Sequence, residues 1–324
     1  MSVHRAPVKS QADNPVPPPL AINPPYRISG ELQAALESGQ GVGALESSLI
    51  AHGFPKPDNL ALAYEIEAAV RDGGAVPATI ALVGGVIHVG LDDNALSVIA
   101  GDDEVRKCST RDLGYLVAQR QHGGTTVAAT ARIAAAAGVE GFATGGIGGV
   151  HRGAGESHDI SADLVELGRT QITLVCAGAK VLLDLPATLE FLETQSVAVI
   201  GYRCDEFPAF YAASSGLPLN YRVDDAYSLA AVVRAHQQMG GPASIVVCNP
   251  PPSEHALPVD KLERMVEDAL VDAAEAGVSG AQVTPYVLGE LTRRSKGRTR
   301  DCNRALILDN AKVAAELAVA LSTN

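Results

Sequence analysis

Short apolar runs alternate with amphipathic segments along most of the chain. Runs of this length, bounded by glycine, proline and polar residues, predict buried strands. We assign six of them: "GVGALESSLI", "VPATIALVGGVIHVGL", "VEGFATGG", "ITLVCAGAK", "VAVIGY" and "ASIVVCNPP". The second run contains Gly84-Gly85 at its centre, which predicts a hairpin turn at that point.

Apolar residues recur at helical spacing between these runs. Pro57-Asp58 opens the first predicted helix and Gly73-Gly74 closes it, while Gly138 closes the second. The predicted helices are "PDNLALAYEIEAAVRDGG", "TTVAATARIAAAAG", "ISADLVELGRT", "LDLPATLEFLETQ", "PVDKLERMVEDALVDAAEAG" and "NRALILDNAKVAAELAVALS". Strands and helices that alternate in this way indicate an α/β fold with a largely parallel or mixed sheet.

The beginning of the chain differs from the rest in composition. "NPVPPPL" and "INPPY" are rich in proline, which lacks an amide donor and favours extended chain. We expect residues 1–30 to form a disordered N-terminal arm. Because no repeat or linker interrupts the remainder, residues 31–324 are predicted to form one domain.

Net charge restricts the partners of this chain. Its 324 residues carry a formal charge of −12, and no basic stripe is visible. A protein that neutralises many phosphates needs such a stripe, so nucleic acid polymers and anionic membranes are not expected partners. No apolar run approaches the ~20 residues that span a bilayer. One small phosphate ester remains compatible with the charge.

Cysteine usage indicates a reducing compartment. The five cysteines are odd in number, scattered, and never spaced as CxxC: Cys108, Cys176, Cys204, Cys248 and Cys302. Reduced thiols of this kind are typical of a cytoplasmic protein.

A glycine-rich stretch, "ATGGIGGVHRGAGESHDISADL", occupies residues 143–164. It follows a predicted strand, and consecutive exposed amides at such a place bind anions, so we expect it to hold a phosphate. The dinucleotide fingerprint fails after Gly146 because its third glycine is missing, and no GK[ST] follows. The alternative is a tight turn that needs positive φ angles.

Carboxylates follow this stretch in "SHDISAD". Asp159 and Asp163 lie four residues apart, which suits a hard cation such as Mg²⁺ or Mn²⁺, or hydrogen bonds to sugar hydroxyls. The spacing is equally compatible with a structural role, in which Asp159 or Ser161 caps the helix that follows.

Lys180 and Glu46 are the candidate reactive groups. Lys180 ends the apolar run "ITLVCAGAK", where desolvation favours the neutral amine that forms a Schiff base with an aldehyde. The alternative is a lysine that reaches solvent or pairs with Asp184. Glu46 follows an apolar run too, and a carboxyl group in an apolar cleft retains a proton that it can donate. Its alternative is an ordinary surface carboxylate.

Segments spread from about residue 35 to about residue 320 resemble one family, the pseudouridine-5′-phosphate glycosidases, also called indigoidine synthase A-like proteins. They are "ALESSLIAHGFPKP", "VPATIALVGGVIHVGL", "GGTTVAAT", "FATGGIGGVHRG", "DISADL", "VCAGAK", "LDLPATLEFLET", "DEFPAFY" and "NRALILDNAKVAAELA". The resemblance implies a single-domain α/β/α sandwich, assembled as a homotrimer. It also implies reversible cleavage of the C–C glycosidic bond of pseudouridine 5′-phosphate to uracil and ribose 5-phosphate.

The resemblance also implies roles for particular residues. Lys180 would be the covalent nucleophile, Glu46 the proton donor, and Asp159 the ligand of a divalent cation, Mn²⁺ or another such as Mg²⁺, partly through waters. Contacts with the phosphorylated sugar or nucleotide would come from Lys107, Thr126, Val127, Thr144, His151, Ser161, Ala162, Asp163 and Asn303.

This set suits a C-glycoside, because the bond to be cleaved has no leaving oxygen for an ordinary acid to protonate. An imine between Lys180 and ribose C1 supplies an electron sink beside that bond. The chain departs from the usual family pattern around "KCSTRDLGY" and "GRTRDCNRALI". Two alternatives therefore stay open: a C-glycosynthase that joins ribose 5-phosphate to another aromatic acceptor, and a non-catalytic sugar-phosphate sensor.

Overall fold

The computed structural model describes residues 26–278 and 283–323. Its strands are β1 (Tyr26–Ile28), β2 (Val42–Leu45), β3 (Val76–Val83), β4 (Val86–Val89), β5 (Arg106–Cys108), β6 (Gly123–Thr125), β7 (Gly141–Ala143), β8 (Val150–His151), β9 (Thr173–Cys176), β10 (Leu183–Asp184), β11 (Ala198–Tyr202), β12 (Arg222–Val223) and β13 (Ile245–Cys248).

The helices are α1 (Gly30–Ser38), α2 (Ser48–His52), α3 (Asp58–Asp72), α4 (Asp93–Gly101), α5 (Leu113–Ala118), α6 (Val127–Ala136), α7 (Ala154–Ser157), α8 (Ala162–Leu167), α9 (Leu185–Thr194), α10 (Ala226–Gln238), α11 (Val259–Glu275), α12 (Val283–Arg294) and α13 (Arg298–Ser322).

One large mixed sheet organises the described part of the chain. Its main path runs β1-β4-β3-β2-β7-β9-β13-β11-β12, and β6 joins β5 to β3. All neighbours from β3 through β12 are parallel, whereas β4 and β6 run antiparallel to β3. The predicted α/β class with a largely parallel or mixed sheet is confirmed.

Helices cover this sheet because its central strands are apolar on both sides. All four residues of β2, β9 and β13 are buried, as expected for parallel strands between helical layers. Helix α13 packs on β2, β7 and β9, and α6 packs on β2, β3 and β6. The sheet therefore lies between helices, as in the α/β/α sandwich that the resemblance implied.

The predicted hairpin is confirmed. β3 pairs with β4 in antiparallel register, and the connecting Gly84 and Gly85 have φ angles of 58° and 78°. Such angles favour glycine because it has no Cβ. Within the described ranges, no helix is both long and apolar enough to cross a bilayer.

The structure also bears on the expected arm. Residues 26–30, which we assigned to it, contain β1 and the first residue of α1, and β1 pairs with β4. The rest of the expected arm, residues 1–25, lies outside the described residues.

Candidate functional site

A cavity of about 650 Å³ opens where β2, β7 and β9 end. Ligands of open α/β sheets bind at the carboxyl ends of their strands, and this volume suits a small organic molecule. The cavity brings together nearly all residues that the sequence indicated: Glu46, Lys107, Thr126, Val127, His151, Asp159, Ser161, Ala162, Asp163 and Lys180. Thr144 and Asn303 do not line it.

The turn after β2 holds Glu46 in the cavity. Ser47 is fully buried, and its hydroxyl donates to the carbonyl of Ile80 on β3 at 2.6 Å and accepts from the amide of Thr125 on β6 at 2.9 Å. These bonds fix the middle residue of "ESS" to two other strands. The flanking residues, Glu46 and Ser48, consequently face the cavity.

Two hydroxyl groups contact the carboxyl group of Glu46. Thr144 donates to Oε1, and Ser48 donates to Oε2 at 2.5 Å. Thr144 is fully buried and contacts Glu46, while its contact with substrate stays a prediction. The contact with Glu46 forms because β7 ends beside β2, which places Thr144 next to Glu46 and beneath the cavity wall.

Asparagines from two further elements hold Thr144 in place. The side-chain amide of Asn310, on α13, donates to the carbonyl of Thr144 at 2.8 Å. Asn249, which follows β13, donates to Oδ1 of Asn310 at 3.0 Å. Both asparagines are buried, so these bonds have little competition from water. The chain of contacts runs from β13 through α13 to the residue that contacts Glu46.

Lys180 reaches the cavity from a loop and does not end a strand, which corrects the prediction. β9 ends at Cys176, and the loop then pairs with the glycine-rich segment through Ile147 N to Gly178 O at 3.0 Å and Lys180 N to Ile147 O at 3.1 Å. Gly178 has a φ of 78°, which is outside the range of a β-strand, so β9 does not continue to Lys180. Lys180 itself is half-buried.

The alternative structural role of Lys180, a pair with Asp184, is not formed. Asp184 instead caps α9, accepting from the amide of Ala187 at 3.0 Å. Among the described residues, the ion pairs do not include Lys180. Its amino group is therefore available to a molecule in the cavity.

Lys107 brings a second amino group to the same cavity. The side chain of Lys107 is exposed to the cavity, but nearby protein atoms remove part of its water shell. Burial lowers the pKa of Lys107, and the positive charge of Lys180 lowers it further, while Asp163 and Glu46 oppose this effect. Two lysines and two carboxylates thus act on one another across a single cavity.

The glycine-rich loop is packed differently from what we expected. The amides of Ile147, Gly148 and Val150 donate to Gly178 O, Asp163 Oδ2 and Thr188 Oγ1, so these three amides are not free to bind a phosphate. The alternative of a turn with positive φ is confirmed at Gly153, whose φ is 79°, but not for the glycines from 145 to 149.

Close packing explains these glycines instead. A Cβ on Gly146 would lie 2.6 Å from the ring of Phe210, and one on Gly149 would overlap the hydroxyl of Thr188. Glycine is the residue that lets the loop approach these side chains. The loop therefore forms a packed floor of the cavity.

Asp163 and Asp159 do not form a carboxylate pair. Asp163 is buried and accepts from the amides of Ala128 at 3.0 Å and Gly148 at 2.8 Å. Helix α8 begins at Ala162, so Asp159 lies outside it, and Ser161 caps the helix as one interpretation predicted. Asp159 is half-exposed, with Oδ2 3.8 Å from Nδ1 of His151.

Two buried oxygens near the cavity have no hydrogen-bond partner among the described residues: Thr126 Oγ1 and Asn303 Oδ1. Buried polar atoms without partners are rare in folded proteins, so each points to a ligand or water. Thr126 lines the cavity, and Asn303 lies close to Gly145 at the cavity floor.

Comparison with known proteins identifies the family. Residues 31–320 match the family described as "Indigoidine synthase A like protein". The chain belongs to this family. Among curated relatives, a pseudouridine-5′-phosphate glycosidase from Herpetosiphon aurantiacus is 51% identical over 91% of this chain and 97% of its own length. A second pseudouridine-5′-phosphate glycosidase, from Chloroflexus aurantiacus, is 51% identical over 91% of this chain and 98% of its own length.

Two solved structures of other proteins have a similar fold. The prealnumycin C-glycosynthase AlnA, in complex with ribulose 5-phosphate, has a TM-score of 0.86 to this chain and 39% identity, over 92% of this chain and 97% of AlnA. An indigoidine synthase A-like protein from Thermotoga maritima has a TM-score of 0.82 and 32% identity, over 92% of this chain and 96% of its own.

Sequence reasoning did not single out several residues of this indigoidine synthase A-like site. Ser48, Ser109, Arg111 and Thr284 also line the cavity, and Asn310 acts beneath it. Only Ser48 carried a usable signal, because it is the second hydroxyl after Glu46. The others depend on which segments the fold brings together.

Proposed function

We propose that the chain catalyses the reversible cleavage of pseudouridine 5′-phosphate to uracil and ribose 5-phosphate. The observation that carries this proposal is that Lys180 and Glu46 reach one cavity from two different loops. A sugar-phosphate sensor needs neither group. Support also comes from the 51% identical relatives that bear the name of this activity.

In the cleavage direction, the amine of Lys180 attacks C1 of the ribose and displaces the ring oxygen, which becomes a hydroxyl by taking up the proton that the attacking nitrogen loses. The new C–N bond joins the open sugar to the enzyme. The nitrogen lone pair then forms a C=N bond as the C1–C5 bond breaks, which is the electron flow that an imine permits. The free side chain of Lys180 in the cavity suits the first step.

Glu46 supplies the proton that C5 of uracil gains as this bond breaks. The C1–C5 electron pair becomes the C5–H bond, and Glu46 is left as a carboxylate. Water then hydrolyses the imine, which releases ribose 5-phosphate and the amine of Lys180. Every step is reversible, so the same groups serve synthesis.

The phosphate is bound by side chains, because the loop amides of Ile147, Gly148 and Val150 are already used. Lys107, Arg111 and Ser161 are among the cationic and hydroxyl side chains that line the cavity, and we assign the phosphate to them. Their arrangement favours a free nucleotide over a nucleic acid polymer, since the whole chain carries a net charge of −12.

A divalent cation fits the site only if ligands other than protein side chains complete its coordination. The described residues contain no cluster of three histidine, cysteine or carboxylate side chains. Asp159 and His151 would hold the ion, with waters and the substrate phosphate completing its shell, as Mg²⁺-type sites commonly do. Such an ion would neutralise phosphate charge and orient the sugar.

A second candidate function has its own support. AlnA, which is 39% identical to this chain, is named a C-glycosynthase. This chain would then join ribose 5-phosphate to an aromatic acceptor other than uracil. The cavity of about 650 Å³ has room for an acceptor larger than uracil.

One assay distinguishes the two candidates. We expect the protein with Mn²⁺ to convert pseudouridine 5′-phosphate to uracil and ribose 5-phosphate, and to act poorly on the nucleoside without phosphate. Fast turnover with uracil and none with a panel of other aromatic acceptors supports the glycosidase. The reverse pattern supports the glycosynthase, and comparable kcat/KM for nucleoside and nucleotide contradicts the phosphate site.

We also propose a homotrimer in the cytoplasm. The family resemblance supports the assembly, and the scattered, odd-numbered cysteines support a reducing compartment. Light scattering on the purified protein tests the assembly, with a mass of about three times the 33.4 kDa chain expected.

A further inference from the structure

We propose that Ser48 is a further catalytic residue, which relays the proton between Glu46 and the base carbon. The proposal rests on the proposed function, because it concerns the proton that C–C cleavage requires. Ser48, which the sequence did not indicate as a site residue, would carry out the last step of proton delivery.

The position of Ser48 is set by the turn that also positions Glu46. Ser47, anchored to β3 and β6, places both neighbours on the cavity wall. The hydroxyl of Ser48 lies 2.5 Å from Oε2 of Glu46. Ser48 is the first residue of α2, and among the described hydrogen bonds its hydroxyl donates to Glu46. The Ser48 hydroxyl therefore has Glu46 as its partner and the cavity as its other neighbour.

The surroundings of the two Glu46 oxygens decide which one carries the proton. A proton on Oε1 would have to be accepted by the Thr144 hydroxyl, whose own hydrogen would then need a new acceptor. Thr144 is fully buried, and Glu46 is its hydroxyl's acceptor among the described contacts, so that hydrogen would be left unsatisfied. A proton on Oε2 meets Ser48 instead, and the hydrogen of Ser48 is free to turn into the cavity.

The transfer then balances without any further reactant. Glu46 Oε2 gives its proton to Oγ of Ser48, while Ser48 gives its own hydrogen to C5 of uracil. The electron pair of the C1–C5 bond becomes the C5–H bond, the Lys180 nitrogen forms the C=N bond, and Glu46 is left ionised. Ser48 ends the step as the neutral hydroxyl with which it began. Thr144 keeps its hydrogen bond to Oε1 throughout.

Three variants test the relay under single-turnover conditions: Ser48→Ala, Ser48→Thr, and Ser38→Ala as a matched control on α1, far from the site. We expect Ser48→Ala to cleave pseudouridine 5′-phosphate about 10- to 100-fold more slowly, within the range of general acid–base catalysis. Ser48→Thr retains the hydroxyl and most of the rate. Borohydride trapping of ribose 5-phosphate on Lys180 is unchanged in all three variants.

A proton inventory in H₂O–D₂O mixtures supplies a readout that a merely structural role would not move. Two protons in transit give the wild type a curved plot of rate against deuterium fraction, and Ser48→Ala gives a straight line. A wild-type rate in Ser48→Ala, or equal loss of trapping and cleavage, overturns the relay alone. Absence of cleavage by the wild type removes the proposed function and the relay with it.

Discussion

At the scale of single residues, the carboxyl group of Glu46 contacts two hydroxyls that lie in different surroundings. Thr144 is buried beneath it, whereas Ser48 shares the cavity with it. The first holds the orientation of the carboxyl group, and the second faces the cavity. Ser48 lies two residues after Glu46, but Thr144 is 98 residues away from Glu46 along the chain, and the pairing of β2 with β7 brings it into contact.

Asp159 is the residue for which a metal prediction is sharpest. Because Asp159 and His151 are the candidate protein ligands, the proposed cation would be held weakly and would depend on water and phosphate. We expect EDTA to abolish turnover and Mn²⁺ to restore it. Asp159→Asn should need at least about tenfold more Mn²⁺ for half-maximal rate, the order seen when metal-site groups are altered.

The matched control is Glu156→Gln, which removes a nearby exposed carboxylate that does not line the cavity. Its Mn²⁺ requirement should equal that of the wild type. Full activity after exhaustive chelation contradicts the assignment of a metal to this site.

At the scale of elements, α13 links the core to the active site. Asn310 lies on its buried face, accepts from Asn249 and donates to the carbonyl of Thr144. The helix begins at Arg298, five residues before the predicted start. It carries both Asn303 and Asn310. Apolar periodicity predicted the helix, but it gave no reason to single out a buried asparagine.

Replacing Asn310 tests this link. Asn310→Ala leaves the buried Thr144 carbonyl without its side-chain donor, and the Asn249 amide keeps only its bond to Asp309. The loss costs about 1–3 kcal/mol of unfolding free energy. We expect kcat for cleavage to fall while trapping on Lys180 persists, because the acid is misplaced and the nucleophile is not. Denaturant unfolding and rapid-quench assays measure the two effects.

Lys312→Ala, on the exposed face of the same helix, serves as the control and should change neither quantity. If Asn310→Ala has wild-type kcat at unchanged KM, then Asn310 contributes to stability alone.

Glu67 on α3 contacts β3, and its titration predicts a dependence of stability on pH. Thr79 donates to its Oε1 at 2.5 Å, but burial dominates and raises the pKa of Glu67. Between the unfolded-state value of 4.5 and the raised folded-state value, the folded protein binds more protons than the unfolded one. Stability contributed by this group therefore falls as pH rises through that window.

Glu67→Gln keeps the acceptor for Thr79 and removes the charge. Its gain in Tm over the wild type should be small near pH 4.5, grow as pH rises, and then level off. Glu104→Gln, an exposed carboxylate on a turn, should show no such trend. A Glu67→Gln gain that is equal at all pH values contradicts the effect of burial.

At the scale of the whole molecule, the alternation of apolar and amphipathic segments was enough to predict the α/β class, the hairpin at Gly84-Gly85 and the last helix. It did not predict the two-residue strands β8, β10 and β12, which are too short to show a period. Nor did it predict the packing of the glycine loop, since the partners of Gly146 and Gly149, Phe210 and Thr188, come from later segments. Type and place in the sequence pointed to Glu46 and Lys180, which line the cavity, but not to Arg111 in the same cavity or to Asn310 beneath it.

The covalent step at Lys180 is the central claim about this molecule, and borohydride trapping measures it most directly. With ribose 5-phosphate and borohydride, we expect a reduced sugar adduct that peptide mapping places on Lys180, and not on Lys107, the other lysine of the cavity. Lys180→Ala and Lys180→Arg should show neither adduct nor turnover, because neither provides a neutral amine. An adduct confined to another lysine, or near-normal turnover by Lys180→Ala, contradicts the mechanism.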